Sequence, residues 1–328
     1  MSKFLIFLMA LYGTSFCSKT DDFEELSGEQ LIKFLETKPK LWESSPSDNS
    51  SRGLYSFGRK VDKIEFSFSN MSFGQHAKYS YDQYDDVELP KEFDSRKKWP
   101  YCKSIGNVWD QSSCWSCWAV SMVNVATDRL CIQTEGKVKV QLSAADLVSC
   151  CPECGVGEKR GGCSSGEPYK AWEHFRKLGL VSGGSYSSWS GCRPYPLKEC
   201  NKGPETGYRY KCSYDHPPET PPCKRYCDYN HWRPYKEDKY YGDQIYYPRT
   251  VRAMQLEIMK RGPIQVIFDI YDDFESYKSG VYYHSWGKFV ASHVVKVFGW
   301  GTEKGVPYWS GVNSWNIVKF LSILFNIL

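Results

Sequence analysis

Gln111-Ser112-Ser113-Cys114-Trp115-Ser116-Cys117-Trp118 is the stretch on which the reading of this 328-residue chain turns. Beyond it, Trp118, Val120, Met122, Val123, Val125 and Leu130 are apolar, and neither Pro nor Gly interrupts the segment through Ile132. That pattern predicts a largely buried helix with Cys117 in its first turn. A thiol there gains from the partial positive charge of a helix N-terminus, and an imidazolium beside it would favour the thiolate further.

Upstream the chain changes character twice. An apolar run from Phe4 to Leu11, followed by the small residues Ser15 and Cys17, reads as a signal peptide over 1–17. A membrane span needs about 20 apolar residues and this run is roughly half that, so no span is expected once the signal is cleaved. Residues 18–88 form a leader with 9 basic and 14 acidic side chains, whereas the chain as a whole is +4. An acidic leader ahead of a basic body suits an intramolecular inhibitor. Within it, Ser27 caps a short helix that Pro39 stops. Asn49-Ser50-Ser51 and Asn70-Met71-Ser72 are glycosylation sequons at Asn49 and Asn70. A new, cysteine- and tryptophan-rich unit begins near Leu89-Pro90.

The 14 cysteines, in a chain that enters the secretory pathway, point to disulfides. Setting Cys17 aside with the signal leaves an odd number, so one thiol stays free, and nucleophilic catalysis is a reason to keep it. Cys192 to Cys227 reads as a long disulfide-stapled loop. From Tyr246 onward Ile264 to Ile270, Val290 to Phe298 and Tyr308 to Trp309 read as strands between Gly and Pro turns. A helical half followed by a strand-rich half makes the class α+β. A composition 41% hydrophobic and 16% aromatic is ample for a packed core. No dense Lys/Arg cluster appears, so nucleic acid is not an expected partner.

The octapeptide resembles the Q-G-S-C-G-S-C-W signature of papain-like cysteine proteases. Leu89-Pro90-Lys91-Glu92-Phe93-Asp94-Ser95-Arg96 carries the resemblance further. Leu180-Val181-Ser182-Gly183-Gly184, Gly191-Cys192-Arg193-Pro194-Tyr195 and Tyr277-Lys278-Ser279-Gly280-Val281-Tyr282 are similar to the cathepsin B group. The resemblance implies a two-lobed fold, a helical left lobe and a β-barrel-like right lobe, over 89–328, with 18–88 as inhibitory propeptide. It implies Cys117 as nucleophile, His293 as base, Asn313 orienting the imidazole with Trp315 shielding that bond, and Gln111 donating to the oxyanion. Trp115, Ser165, Gly166 and Trp315 fall at substrate-binding positions. The substrates implied are proteins or peptides, the propeptide is the chain's own inhibitor, the enzyme is a monomer, and it is secreted or lysosomal. No metal and no organic cofactor is implied. Cys151-Pro152-Glu153-Cys154 could by itself be a zinc or redox pair. The resemblance instead pairs Cys102 with Cys131, Cys114 with Cys163, Cys150 with Cys223, Cys151 with Cys154, Cys192 with Cys227 and Cys200 with Cys212, leaving Cys117 over.

Three departures from the family pattern support a second expectation, a catalytically impaired homologue that binds peptides or proteins. Ser112 and Trp115 stand where the signature has glycine, and Gly162-Cys163-Ser164-Ser165-Gly166 stands where G-C-N-G-G is expected. Glycine in such loops permits positive φ and close approach of substrate. After Cys200 comes Asn201-Lys202-Gly203 in place of a His-His pair, so carboxydipeptidase action is not expected. After Asn313-Ser314-Trp315-Asn316 the family's remaining strands are replaced by a short apolar run ending at Leu328. The right lobe is therefore expected to be truncated, with an open sheet edge.

Overall fold

The computed structural model describes residues 86–156, 161–201, 210–212, 217–228 and 231–315, with the short strands Phe4–Phe7, Met9–Ala10, Trp42–Ser44 and Ile323–Asn326. The helix expected after Ser27, both sequons and residues 202–209 of the stapled loop lie outside the described residues.

Helix α1 (Cys117–Gln133) is buried on every side from Trp118 to Ile132. A helix hidden on all sides belongs in a core, and the polar side chains it carries, Asp128 and Arg129 among them, must find partners there. Two shorter helices pack on it. α2 (Ala144–Cys150) is capped by Ser143, whose hydroxyl accepts from the Asp146 N–H at 2.9 Å. α3 (Pro168–Leu178) has Pro at its first position, where the missing N–H costs nothing, and ends at Gly179 with φ 69°. Trp118, Val123, Leu147, Trp172 and Phe175 share the resulting core.

The second half is a sheet. Strand β1 (Phe93–Asp94) pairs with the long central strand β4 (Phe289–Glu303) at Gly299 and Trp300. β4 pairs antiparallel with β2 (Ile264–Tyr271) on one side and β5 (Val306–Val312) on the other. Next in order come β6 (Ile323–Asn326) and β3 (Tyr277–Tyr282). Helix α4 (Val251–Arg261), capped by the Thr250 hydroxyl and stopped at Gly262, covers the sheet with Met254 and Ile258. β2 and β3 stand four places apart, roughly 19 Å in a flat sheet. Only the 3-10 turn Asp272–Ser276 joins them, reaching about 10 Å. The sheet must therefore curl toward a barrel.

The expectation of an open edge after Val312 is corrected here. Ile323–Asn326 pairs antiparallel with β5, Trp309 opposite Phe325, and parallel with β3. The apolar Ile323, Leu324 and Phe325 suit a strand, and as the third member of the ladder it supplies the hydrogen bonds that the edge would lack.

Six disulfides join Cys102–Cys131, Cys114–Cys163, Cys150–Cys223, Cys151–Cys154, Cys192–Cys227 and Cys200–Cys212. All lie in the helical half and its stapled loop. The halves meet across α1 through Gln265 of β2, whose amide nitrogen donates to the Trp118 carbonyl (2.9 Å) and the Ser121 hydroxyl (2.7 Å). Its oxygen accepts from the Trp172 indole at 2.7 Å.

Candidate active site

Cys117 is the first residue of α1 and, among the described residues, the free cysteine. The loop that delivers it is tied down by hydroxyls. Ser116 Oγ lies 2.9 Å from the Tyr195 hydroxyl, which donates to the Gln111 carbonyl at 3.0 Å. Ser121 Oγ donates to the Cys117 carbonyl at 2.6 Å. Tyr195 is buried, so its bonds fix the nucleophile loop rather than compete with water.

Strand β4 brings His293 to the same place: the Cys117 sulfur accepts a hydrogen bond from the backbone N–H of Val294, the next residue. His293 is itself buried. Its Nε2 lies 2.7 Å from Asn313 Oδ1, which also accepts from the Ser314 N–H at 2.7 Å. That second bond identifies the amide oxygen as acceptor, so Nε2 carries the proton and Nδ1 is the basic nitrogen. Trp315 stacks on the imidazole at 4.3 Å with 30° between planes, and Phe268 meets it edge-on at 5.8 Å. Asn313 and Trp315 follow β5 directly, so the β4–β5 pairing sets their position.

Gln111 is held at both ends of its amide. Nε2 donates to the Cys114 carbonyl at 2.9 Å, and Oε1 accepts from the Ser314 hydroxyl at 2.5 Å. An amide nitrogen has two hydrogens, so one remains to face a ligand near Cys117. Ser314 thus joins Asn313, which holds the imidazole, to Gln111, a link that sequence pattern alone does not announce.

The electrostatics of Cys117 run against the simple helix-end argument. Burial pushes the thiol up to about 11, and the N–H groups of Val294, Trp118 and Cys117 itself pull the other way without reversing it. A thiolate near neutrality therefore requires a positive charge beside the sulfur that these N–H groups do not supply.

Both serines at glycine positions keep a glycine backbone: Ser112 has φ 62° and Ser165 has φ 122°. Ser112 donates its N–H to Asp110 Oδ1 at 2.7 Å, which holds the turn. Trp115 donates its N–H to the Cys163 carbonyl at 3.2 Å, so the segment before the nucleophile lies against the 162–166 turn. Gly166 packs its Cα on Trp118, where an added Cβ would come within 2.4 Å of the indole.

Among the described residues one group gathers metal-ligand atoms: Cys151, Glu153 and His174. Cys151 is bonded to Cys154 and offers no thiolate, while His174 Nδ1 meets Glu153 Oε1 at 2.7 Å. The arrangement is a disulfide beside a hydrogen-bonded pair. No described helix is long and apolar enough to cross a membrane.

Residues 89–319 match the papain family cysteine protease profile. The chain belongs to the papain family. Within the family it is similar to a cathepsin B-like cysteine proteinase of Schistosoma japonicum, 37% identical over 327 residues, covering 96% of this chain and 91% of the relative. Cathepsin B-like cysteine proteinase 6 of Caenorhabditis elegans is 36% identical over 340 residues, covering 96% and 86%. In three dimensions the papain fold is shared with a procathepsin B of Trypanosoma congolense at 34% identity and a TM-score of 0.61, covering 76% of this chain and 75% of that one.

Proposed function

We propose that this papain-family member is a cysteine endopeptidase, made as a secreted or lysosomal zymogen with 1–17 as signal and 18–88 as inhibitory propeptide. The observation that carries the reading is one chain of contacts: Val294 N–H on the Cys117 sulfur, His293 Nε2 on Asn313, and Ser314 on Gln111.

In the proposed reaction His293 Nδ1 takes the thiol proton, giving a thiolate–imidazolium pair. The sulfur attacks the peptide carbonyl carbon, forming the C–S bond while the carbonyl oxygen becomes an oxyanion facing Gln111 Nε2 and the Cys117 N–H. Collapse breaks the C–N bond, and the imidazolium returns its proton to the departing amine. Water, deprotonated by the same Nδ1, then hydrolyses the thioester, and the proton goes back to sulfur. Asn313 keeps Nε2–H oriented throughout, and an oxyanion donor such as Gln111 is worth about 3 to 4 kcal/mol of barrier.

A catalytically impaired, peptide-binding homologue is the second reading, supported by Trp115 and by the strained Ser112 and Ser165. Intact mass before and after an irreversible thiol-protease epoxide, with Cys117→Ala as control, separates the two. An adduct on Cys117 is expected; a folded protein that gains none turns the assignment to the binding homologue.

A further inference from the structure

We propose that Trp115 and Ser165 jointly restrict the residue whose carbonyl Cys117 attacks to glycine. This rests on the protease reading and names the substrate class for that site.

The argument begins with the tetrahedral carbon formed in the attack. One of its four bonds goes to the Cys117 sulfur. Its oxygen turns to Gln111 Nε2, and its leaving nitrogen turns to His293. The fourth bond, to the Cα of the attacked residue, then leaves along the remaining wall, away from β4. That wall is Cys114-Trp115 and the 162–166 turn, joined by the Cys114–Cys163 disulfide and by the Trp115 N–H on the Cys163 carbonyl at 3.2 Å.

The turn has little freedom to move aside. The Cys163 N–H donates to Thr220 Oγ1 at 3.0 Å, and the Trp118 indole donates to the Gly162 carbonyl at 3.2 Å. Gly162 has φ 93°, and a Cβ on it would come within 2.1 Å of the same Thr220 hydroxyl. Gly166 has no room for a Cβ against Trp118. A turn fixed from so many sides forces Ser165 to φ 122° and ψ 166°, a region that is essentially glycine's. Residues in such angles persist only where their surroundings over-determine them, and they gather at functional sites. Ser165 is half-buried, so part of it stays open to a ligand that lies along this wall.

Trp115, also half-buried, sits on the same wall two residues before the nucleophile. An indole carries roughly 150–250 Å2 of surface, enough to fill a small side-chain pocket. With indole and hydroxymethyl on one wall, an attacked residue with no side chain fits, and each larger side chain must displace one of them.

The test is cleavage profiling of the full-length protein, matured at acidic pH, on peptides that differ only at the attacked residue (Gly, Ala, Arg or Phe), for wild type, Trp115→Gly and Ser165→Gly. Iodoacetamide, small enough to pass the wall, reports on the Cys117 thiol in each. Wild type is expected to cleave after Gly at least about tenfold better than after Arg or Phe, the scale on which a pocket discriminates side-chain size. Trp115→Gly should move that ratio at least about tenfold toward Arg and Phe, and Ser165→Gly should move it less. Ser165→Gly relieves strain, so it supplies the test should Trp115→Gly fail to fold. Equal cleavage after Gly and Arg in wild type, or a ratio that neither variant moves, overturns the proposal while iodoacetamide labelling of Cys117 leaves the protease reading standing. No labelling and no cleavage in any of the three overturns both.

Discussion

At the first residue of α1 the half-buried Cys117 has three backbone N–H groups for company and no charged partner among the groups that shift its thiol, whereas three turns on, the same helix carries charges that arrive already paired. There Asp128 Oδ2 meets Lys296 Nζ of β4 at 2.8 Å, and that ammonium also donates to the Ser104 carbonyl at 3.1 Å. Arg129 donates to Glu257 (3.0 Å) and to the carbonyls of Pro263 (2.7 Å) and Gly262 (2.9 Å). All four charged side chains are buried. One end of the helix thus carries a thiol without a charged partner; the other pairs its charges, leaving Asp128 Oδ1 as its one buried oxygen without a hydrogen bond among the described residues, and clamps the two halves together. An ionisable group without a charged partner belongs where a reaction is to happen, and paired charges belong where the lobes must stay put.

The sharpest way to break this comparison is His293→Ala. Peptide hydrolysis should fall by roughly 10^4- to 10^6-fold, the loss expected when one member of a catalytic unit is removed, with the thermal midpoint nearly unchanged. A midpoint that collapses along with activity would make His293 a structural residue instead.

A pH profile on the same variant sharpens the electrostatic half. Without an imidazolium, iodoacetamide labelling of Cys117 should rise only as pH approaches about 11, while wild type labels well below that. The linkage has a definite sign. A thiol held neutral by burial contributes stability that is complete below its unfolded value of 9.0 and is lost as pH rises through about 11. Equal labelling profiles for wild type and variant would remove His293 from the activation of the thiol.

At the other end of α1, Lys296→Met should cost about 3 to 5 kcal/mol in urea unfolding, because it strands a buried carboxylate. Burial already raises the Asp128 pKa, with Lys296 opposing that rise. Adding Asp128→Leu should recover most of the loss, since an apolar pair of similar volume replaces a buried ion pair at little cost. If the double variant is as unstable as the single, the pair is not the unit described.

The smallest effect returns to the nucleophile end. Ser112→Gly and Ser165→Gly should each stabilise the fold by about 1 kcal/mol, less glycine's greater unfolded-state entropy. Destabilisation by both would mean that the serine hydroxyls contribute more than the backbone strain costs.

Much of this arrangement is legible in the sequence, for identifiable reasons. A largely apolar segment free of Pro and Gly announces α1, and Ile264, Val290 and Tyr308 mark three strands that the structure carries to Ile264–Tyr271, Phe289–Glu303 and Val306–Val312. The Gln111–Trp118 and Asn313-Ser314-Trp315 segments are visible because the residues assigned to the proposed chemistry are contiguous there. What stays hidden depends on contacts between distant segments. Nothing local to Tyr195 says that its hydroxyl reaches the Gln111 carbonyl, and nothing local to Thr220 says that it latches the turn bearing Ser165. The role of Ile323–Asn326 is equally illegible, because strand partners are chosen by tertiary packing more than by strand propensity. The raised Cys117 pKa is hidden for the same reason: desolvation is set by β4 packing across the helix end.

That raised pKa has a further consequence in redox terms. Thiol–disulfide exchange proceeds through the thiolate, and the Cys114–Cys163 bridge starts only three residues from Cys117. A permanently ionised sulfur beside six disulfides in an oxidising compartment would be a standing agent of their rearrangement. In the proposed mechanism burial holds Cys117 protonated until His293 carries a proton to balance it, and on those terms the thiol can share a lobe with all six bridges without unpicking them.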